Sequence, residues 1–375
     1  MTPDLQGYIR DIHYTPCLSQ PLVRYAWDSF DINAAKGCGV VTLADGEDGL
    51  AFSKWISPKR TRSYPFARIY NTYGQNRKCV TIIPVIKDEG IAGDNDRINA
   101  ITFSWMSLLN VYIILAWYDD ARASTRPGKI TGQRFDNDYI RQQLEAVSRY
   151  RMSALHWNVA HFERDFAALY LRAVERYQQI SRRTGVPVHT EEDHLRVLEA
   201  FAPNAHLEID LFKRLSLARS QAAALRESAV THRLENLLDG DKGLIAISNY
   251  LGGQYFLTVD ELILSDGRAI IQESKHSTRD ALPKLADVQD GLFKLILFSS
   301  LDRLTLNEQP IPFSARLKLT GQLNGRLLLP ADPAEIVPFA ASNSLKPSER
   351  ALIEGLDREA RANTGLKIMI GEAEA

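Results

Sequence analysis

Two carboxylates and an ammonium group stand close together in "VDELILSDGRAIIQESKHS" (Val259 to Ser277): Asp260 lies in one apolar, β-branched-rich run, Glu273 and Lys275 in the next, and Asp266-Gly267 divides them. Asp-Gly between two such runs signals a two-residue hairpin, because both central positions of a type I′ turn need positive φ. With that turn as the loop, Ser265 faces Arg268, and counting down the ladder sets Asp260 across from Glu273 and Thr258 across from Lys275. Side chains alternate along a strand, so Asp260, Glu273 and Lys275 share one face, while Glu261 points the other way beside Gln272. Carboxylates opposed at roughly 5 Å repel, and the apolar neighbours Leu262, Leu264 and Ile271 make that repulsion expensive unless a cation or a proton offsets it. A divalent metal does so: Mg²⁺ takes one or two carboxylates and keeps positions open for water and phosphate. A neighbouring lysine can orient or deprotonate an attacking water, or neutralise charge in the transition state. The plainer alternative is an edge hairpin with a solvated Lys275–Glu273 pair, an arrangement of little energetic worth.

The elements around this hairpin follow from periodicity. A helical stretch runs from about Leu207 to Leu238 and ends at Asp239-Gly240; strands are expected over Tyr255–Leu264 and Arg268–His276, a helix over about Leu282–Leu301 with Pro283 in its first turn, and short strands near Ala315–Thr320 and Leu366–Ile370. Upstream, "YIRQQLEAVSRYRMSALHWNVAHFERDFAALYLRAVERYQQISRR" carries apolar residues at three and four spacing, which predicts long helix with one interruption between about Asp138 and Arg183. Before it, "CVTIIPVI" and "NVYIILAWY" read as strands in an aromatic, turn-rich stretch. Three regions result: an α+β module over 1–135, a helical region over 136–217, and a mixed-sheet core over 218–375.

An acid, twelve residues, then Glu-Ser-Lys on the next strand resembles the PD-(D/E)XK nuclease superfamily, the fold of many restriction endonucleases and DNA-repair nucleases. Position 259 is Val where the motif's name has Pro. The resemblance covers roughly residues 218–320. It implies an α/β (α+β overall) fold with a restriction-endonuclease-like mixed sheet flanked by helices. It also implies a carboxylate on the helix before the first catalytic strand; Glu227 and Glu235 are the candidates, Glu235 preferred for its place between Leu234 and Leu238. Asp260, Glu273 and Glu235 then bind Mg²⁺, and Lys275 positions the water. A chain of this size without a helicase or ATPase motif fits a type II restriction endonuclease, which implies a homodimer cutting double-stranded DNA and a separate cognate methyltransferase. Two alternatives stay open: a catalytically inactive DNA-binding or defence scaffold with the same fold, and a nuclease acting on RNA.

A net charge of −1 neither indicates nor excludes a nucleic-acid partner, so local clusters decide. "FSKWISPKRTRSYPFARIYNTYGQNRK" (Phe52 to Lys78) has no acid; Lys54, Lys59, Arg60, Arg62, Arg68, Arg77 and Lys78 alternate with Trp55, Tyr64, Phe66, Tyr70 and Tyr73. Basic side chains supply phosphate contacts and aromatics supply stacking, which makes this segment the candidate DNA surface, against a solvated basic loop whose aromatics belong to a core. The basic loop Arg122–Lys129 could also track a backbone. Asp88, Glu89, Asp94 and Asp96 lack EF-hand spacing and read as a solvated loop; Asp119 and Asp120 are ambiguous. His156/His161 and His189/His194 are five apart, which on a helix does not make one ligand face, and His232 near Glu235 reads as an ordinary partly buried residue.

Cys17, Cys38 and Cys79 form no metal-ligand spacing and read as reduced thiols. No apolar h-region opens the chain, and the longest apolar stretch, around Val111–Trp117, is far short of a membrane span. A soluble cytoplasmic protein is expected. No Walker A motif, complete dinucleotide fingerprint or nucleophile elbow occurs, so nucleotide-powered and acyl-transfer chemistry fall away.

Overall fold

In a computed structural model of the chain, which describes residues 5–42, 49–59, 64–75, 77–202, 207–210, 241–250 and 253–372, β1 (Leu5–Ile9) runs parallel beside β11 (Asp241–Asn249), with Leu5 registered on Ile245 and Ile9 on Asn249. Leu5, Ile9, Ile245 and Ile247 are all buried, and that apolar pairing draws the first strand into the C-terminal core. The chain divides into two compact units, Met1–Pro21 with Val230–Ala375, and Leu22–Ala229. The boundaries thus differ from the three regions read in the sequence: β1 leaves the N-terminal module, and the helices expected over 136–217 pack with the sheet that precedes them.

The unit containing β1 is built on a nine-stranded sheet. β11, β12 (Gln254–Ser265) and β13 (Arg268–His276) form an antiparallel meander. β16 (Phe313–Thr320) lies parallel to β13, and β18 (Leu366–Gly371) parallel to β16. β17 (Arg326–Leu329) closes that edge; at the other, β14 (Arg303–Leu306) pairs with β1 and with β15 (Gln309–Pro310). The expected helix after β13 is α6 (Leu285–Ser299); it begins two residues beyond Pro283, with Lys284 as the N-cap residue. Its Val288, Leu292, Leu295 and Ile296 are fully buried, as are Ile271, Ala315, Leu317 and Leu319 of the strands it covers. α7 (Pro333–Ser342) and α8 (Pro347–Ala362) follow. Pro347 stands at the first helical position of α8 and Glu349 Oε2 accepts a bond from Lys346 N, so two local devices start that helix.

The unit 22–229 has a five-stranded sheet of β2 (Arg24–Ala26), β3 (Cys38–Thr42), β4 (Leu50–Lys54), β5 (Cys79–Pro84) and β8 (Tyr112–Ala116), in the order β2-β3-β4-β5-β8. β4, β5 and β8 are parallel, and α1 (Pro65–Thr72) and α2 (Ala100–Leu108) lie on the crossovers. Strands buried on both faces read as unbroken apolar runs, which is why "CVTIIP" has no polar alternation. Two ribbons complete the unit, β6 (Ile86–Asp88) with β7 (Asn95–Arg97), and β9 (Tyr118–Ala123) with β10 (Ile130–Phe135). The expected interrupted helix is α3 (Asn137–Arg149) and α4 (Ala154–Thr184). Asp136 caps α3 by accepting from Tyr139 N, Ser153 caps α4 by accepting from His156 N, and Gly185 ends α4 at a φ of 69°. α5 (Glu191–Phe201) follows. With eight helices among the described residues and mixed sheets, the chain is an α+β protein, as its sequence pattern predicts. No helix among the described residues is long and apolar enough to cross a membrane.

Candidate active site

The hairpin of β12 and β13 turns at Asp266-Gly267, where both residues have positive φ, 51° and 71°. Ser265 registers on Arg268, Leu262 on Ile271 and Glu261 on Gln272, the ladder that the Asp-Gly turn predicts. The ladder then stops, and the expected pairing of Thr258 with Lys275 does not form; Thr258 registers on Leu244 of β11. The reason is a bulge. Asp241 pairs with Leu262 and Gly243 with Val259, so Asp260 and Glu261 together stand against one residue of β11. Bulges bend a strand and re-aim its side chains, and they recur beside active sites.

Around that bulge the expected residues gather. Lys275 Nζ is 2.9 Å from Glu273 Oε1, and the carboxyl of Asp260 is hydrogen-bonded to that of Glu273. Glu261 turns to the opposite face, where it accepts from Gln272 Nε2 and, at 2.6 Å, from Ser274 Oγ. Two participants come from α6 and were not singled out in the sequence. Lys294 Nζ lies 2.9 Å from Asp260 Oδ2 and 2.6 and 2.7 Å from the two Glu273 oxygens, and Asp290 Oδ2 lies 2.9 Å from Lys275 Nζ. The available signal was Asp290 and Lys294 at i and i+4 in a largely apolar helix, which places both on one face. Gly291 between them lets helix and strand approach: a Cβ there would meet Leu317 Cδ1 at 2.9 Å and Lys275 Cε at 3.2 Å.

Burial sets the electrostatics. Glu273 has a side chain only 4 % exposed, and loss of hydration lifts its carboxyl to about 7; the Lys294 ammonium opposes that rise and the Asp260 carboxyl adds to it. Lys275 shows the reverse balance: burial works against its charge, but Glu273 and Asp290 raise its pKa above the ordinary lysine value. The Lys275 ammonium therefore stays protonated at neutral pH. That favours charge stabilisation and water orientation over proton abstraction.

The donor set fits a hard divalent cation. Three carboxylate oxygens, Asp260 Oδ2 and both oxygens of Glu273, converge within 2.9 Å of one point, the position of Lys294 Nζ. Among the described residues no group of three or more His, Cys, Asp and Glu side chains is arranged to hold a metal ion. Two carboxylates with water completing the shell is the geometry available. The preferred third carboxylate, Glu235, lies outside the described residues, as do Glu227 and His232.

No family model, curated protein or solved structure matches the chain.

The basic segment expected to face DNA is largely turned inward, a correction to the sequence reading. Lys54 Nζ donates to the carbonyls of Ile32 and Ala35, Arg68 Nη1 donates to Lys54 O, and Lys78 Nζ caps the end of α3 by donating to the carbonyls of Val147, Ser148 and Tyr150. Phe52, Trp55, Phe66 and Tyr70 are fully buried. Of the segment's described cations, Lys59 is exposed and Arg77 half-buried; Arg60 and Arg62 lie outside the described residues. Arg122–Lys129 forms the largely exposed tip between β9 and β10.

The acidic loop is a second correction. Asp88 is fully buried and Asp96 8 % exposed. Asp88 accepts from Gly90 N and His189 N, has His189 Nδ1 at 3.0 Å, and has His194 Nε2 at 3.8 Å. The five-residue spacing of the two histidines does not part them, because His189 precedes α5 and only His194 lies within it. Asp119 and Asp120 are ion-paired with Arg176 and Arg183 of α4.

Proposed function

We propose that the chain is a Mg²⁺-dependent nuclease of the PD-(D/E)XK type, hydrolysing phosphodiester bonds of double-stranded DNA with the sequence specificity of a type II restriction endonuclease. One observation carries the reading: on a bulged hairpin, the carboxylate oxygens of Asp260 and Glu273 converge on a single cation position, with the Lys275 ammonium 2.9 Å from Glu273. The antiparallel meander, the helix covering it and the parallel strand after that helix support the same fold assignment.

Asp260 and Glu273, with Glu235, would hold the ion, which when bound supplies Lewis-acid activation of phosphate and water. Lys275, fixed between Glu273 and Asp290 and kept protonated by them, orients the attacking water and offsets charge on the pentavalent transition state. Ligation would require Lys294 to withdraw from the converging oxygens. Three free cysteines, Cys17, Cys38 and Cys79, agree with a cytoplasmic enzyme. By the same class analogy the active form is a homodimer, and a separate methyltransferase protects host DNA.

A second reading draws on Lys294 itself. An ammonium neutralising both carboxylates is what a fold that had given up the metal would retain, and the chain would then be a catalytically inactive DNA-binding scaffold. Incubation with mixed plasmid and phage DNA in Mg²⁺, beside EDTA, Asp260→Ala and Lys275→Ala controls, separates the two. Discrete fragments from the wild type alone support the nuclease; DNA retained in a gel shift but intact in every lane supports the scaffold, and loss of an RNA substrate alone moves the assignment to RNA.

A further inference from the structure

The ion pairs around the hairpin join three carboxylates, Asp260, Glu273 and Asp290, to two ammonium groups, Lys275 and Lys294, among the described residues. With the carboxyls ionised, as ligation requires, that cluster carries one excess negative charge. A divalent ion would turn the excess into one positive charge, the match for a phosphodiester, which carries a single negative one. The same ion with Lys275 alone would leave the cluster neutral. Lys294 therefore decides whether the loaded site attracts a phosphodiester.

The two lysines are not equivalent. Every ion pair of Lys294 among the described residues goes to the oxygens on which a cation would sit, Asp260 Oδ2 and both oxygens of Glu273. Ligation there strips Lys294 of those partners, whereas Lys275 keeps Asp290 Oδ2 at 2.9 Å. A cation whose side chain is 13 % exposed is costly to leave unpaired. Nor can its backbone leave the site. Gly291 lies three residues, about one helical turn, before Lys294, and a Cβ at Gly291 would meet Lys275 Cε at 3.2 Å and Glu273 Cγ at 3.4 Å. α6 thus presses on the strand that carries the acids, and the ammonium released from them stays beside them with its donors unengaged.

We propose that Lys294 is the phosphate-binding residue of this site: displaced from Asp260 and Glu273 on ligation, its ammonium takes a non-bridging oxygen of the phosphodiester, while Lys275 attends the water. The inference rests on the nuclease reading and gives the two lysines separate tasks. The competing seat for the released ammonium is Asp290, four residues earlier on the same helix, where Lys275 already holds Oδ2.

The test uses the full chain with Ca²⁺, an ion that takes oxygen ligands. Isothermal titration gives the affinity for Ca²⁺ alone. Anisotropy of a short labelled duplex of mixed sequence, at saturating Ca²⁺ and several salt concentrations, gives the affinity for DNA. Lys294→Met should bind Ca²⁺ more tightly than the wild type, because a competitor for the oxygens is gone. It should bind DNA about tenfold more weakly or worse, the loss of one charged hydrogen bond, and the slope of log affinity against log salt should shrink by about one, as for any lost phosphate contact. Lys294→Arg should keep the slope. Lys294→Gln, which retains a donor for the carboxylates, should repeat the Met result and serves in its place if the Met variant does not fold without Ca²⁺. Tighter Ca²⁺ binding with unchanged DNA affinity and slope would overturn the proposal, since Lys294 would then be a place-holder that falls back on Asp290. Weaker binding of both with an unchanged slope would overturn it in favour of a packing role. A wild type that takes up no Ca²⁺, or that binds DNA equally well in EDTA, would overturn the nuclease reading and the proposal with it.

Discussion

Lys294 Nζ stands 2.6 and 2.7 Å from the two carboxylate oxygens of Glu273, so a helix side chain occupies the point on which the hairpin's acids converge. In the proposed nuclease the ammonium and a divalent cation would compete for the same oxygens. Lys294→Met should therefore lower metal-free stability by about 3 kcal/mol, the usual cost of stripping one partner from a buried pair. Mg²⁺ should restore more of that loss in the variant than it adds to the wild type. Urea unfolding with and without Mg²⁺ measures both, and equal Mg²⁺ increments in the two proteins would show that the lysine and the ion do not share a position.

Glu273 makes the metal-free protein pH-sensitive. Its folded pKa of about 7 is above the ordinary 4.5, so between those values the folded state binds more protons than the unfolded state. Stability contributed by this group is present below pH 4.5 and is lost as pH rises through about 7. The wild type's stability relative to Glu273→Gln should thus decline from pH 5 to pH 8 in EDTA, readable as a difference of unfolding midpoints. A pH-independent difference would mean that burial does not govern the carboxyl.

Gly291 holds the seam between α6 and β13. Valine there would press on Leu317 Cδ1 and Lys275 Cε, and overpacking of this kind costs about 1–3 kcal/mol. Because the displaced helix carries Asp290 and Lys294, Gly291→Val should, on the proposed nuclease reading, also reduce DNA cleavage while leaving protein folded at 25 °C. Cleavage at the wild-type rate would separate the positioning of Lys275 from the helix approach.

Asp88 joins β6 to the segment before α5 through His189. Burial alone would raise its pKa; the His194 ring 3.8 Å away and the bonds from His189, through ring and backbone, and from Gly90 N bring it below the ordinary carboxylate value. Stability from this group is therefore present above the ordinary carboxylate range and is lost as pH falls through the depressed folded value. Asp88→Asn should cost about 3 kcal/mol at pH 7, with the gap to wild type closing in acid. Thermal melts at pH 7 and pH 3 give the comparison; a gap that widened in acid would contradict the assignment.

The hairpin was legible because its determinants are local. Asp266-Gly267 demands one turn and the turn demands one register, which holds from Ser265–Arg268 to Glu261–Gln272; Asp260, Glu273 and Lys275 meet just beyond it, around the bulge. Lys294 was not, because its reach to Glu273 depends on the phase in which α6 meets the sheet, and that phase is set by Gly291 and Leu317 packing across elements. Asp88 looked solvated in "KDEGIAGDND" because the partner that buries it, His189, is 101 positions away. Lys78 was misread for the same reason: the carbonyls it caps belong to α3. Local polarity is a poor guide wherever a distant backbone absorbs the charge.

Leu5 registers on Ile245, so β1 cannot enter its sheet until the long segment between them has been synthesised. Residues 22–229 leave the ribosome before β11, with every strand partner of their own five-stranded sheet in hand. The wait itself is thermodynamically mild, since each doubling of a closing loop adds only about 0.6 kcal/mol. Its consequence is kinetic: β1 stays unpaired in the nascent chain throughout, and the candidate site's sheet is completed after residues 22–229 have had time to fold.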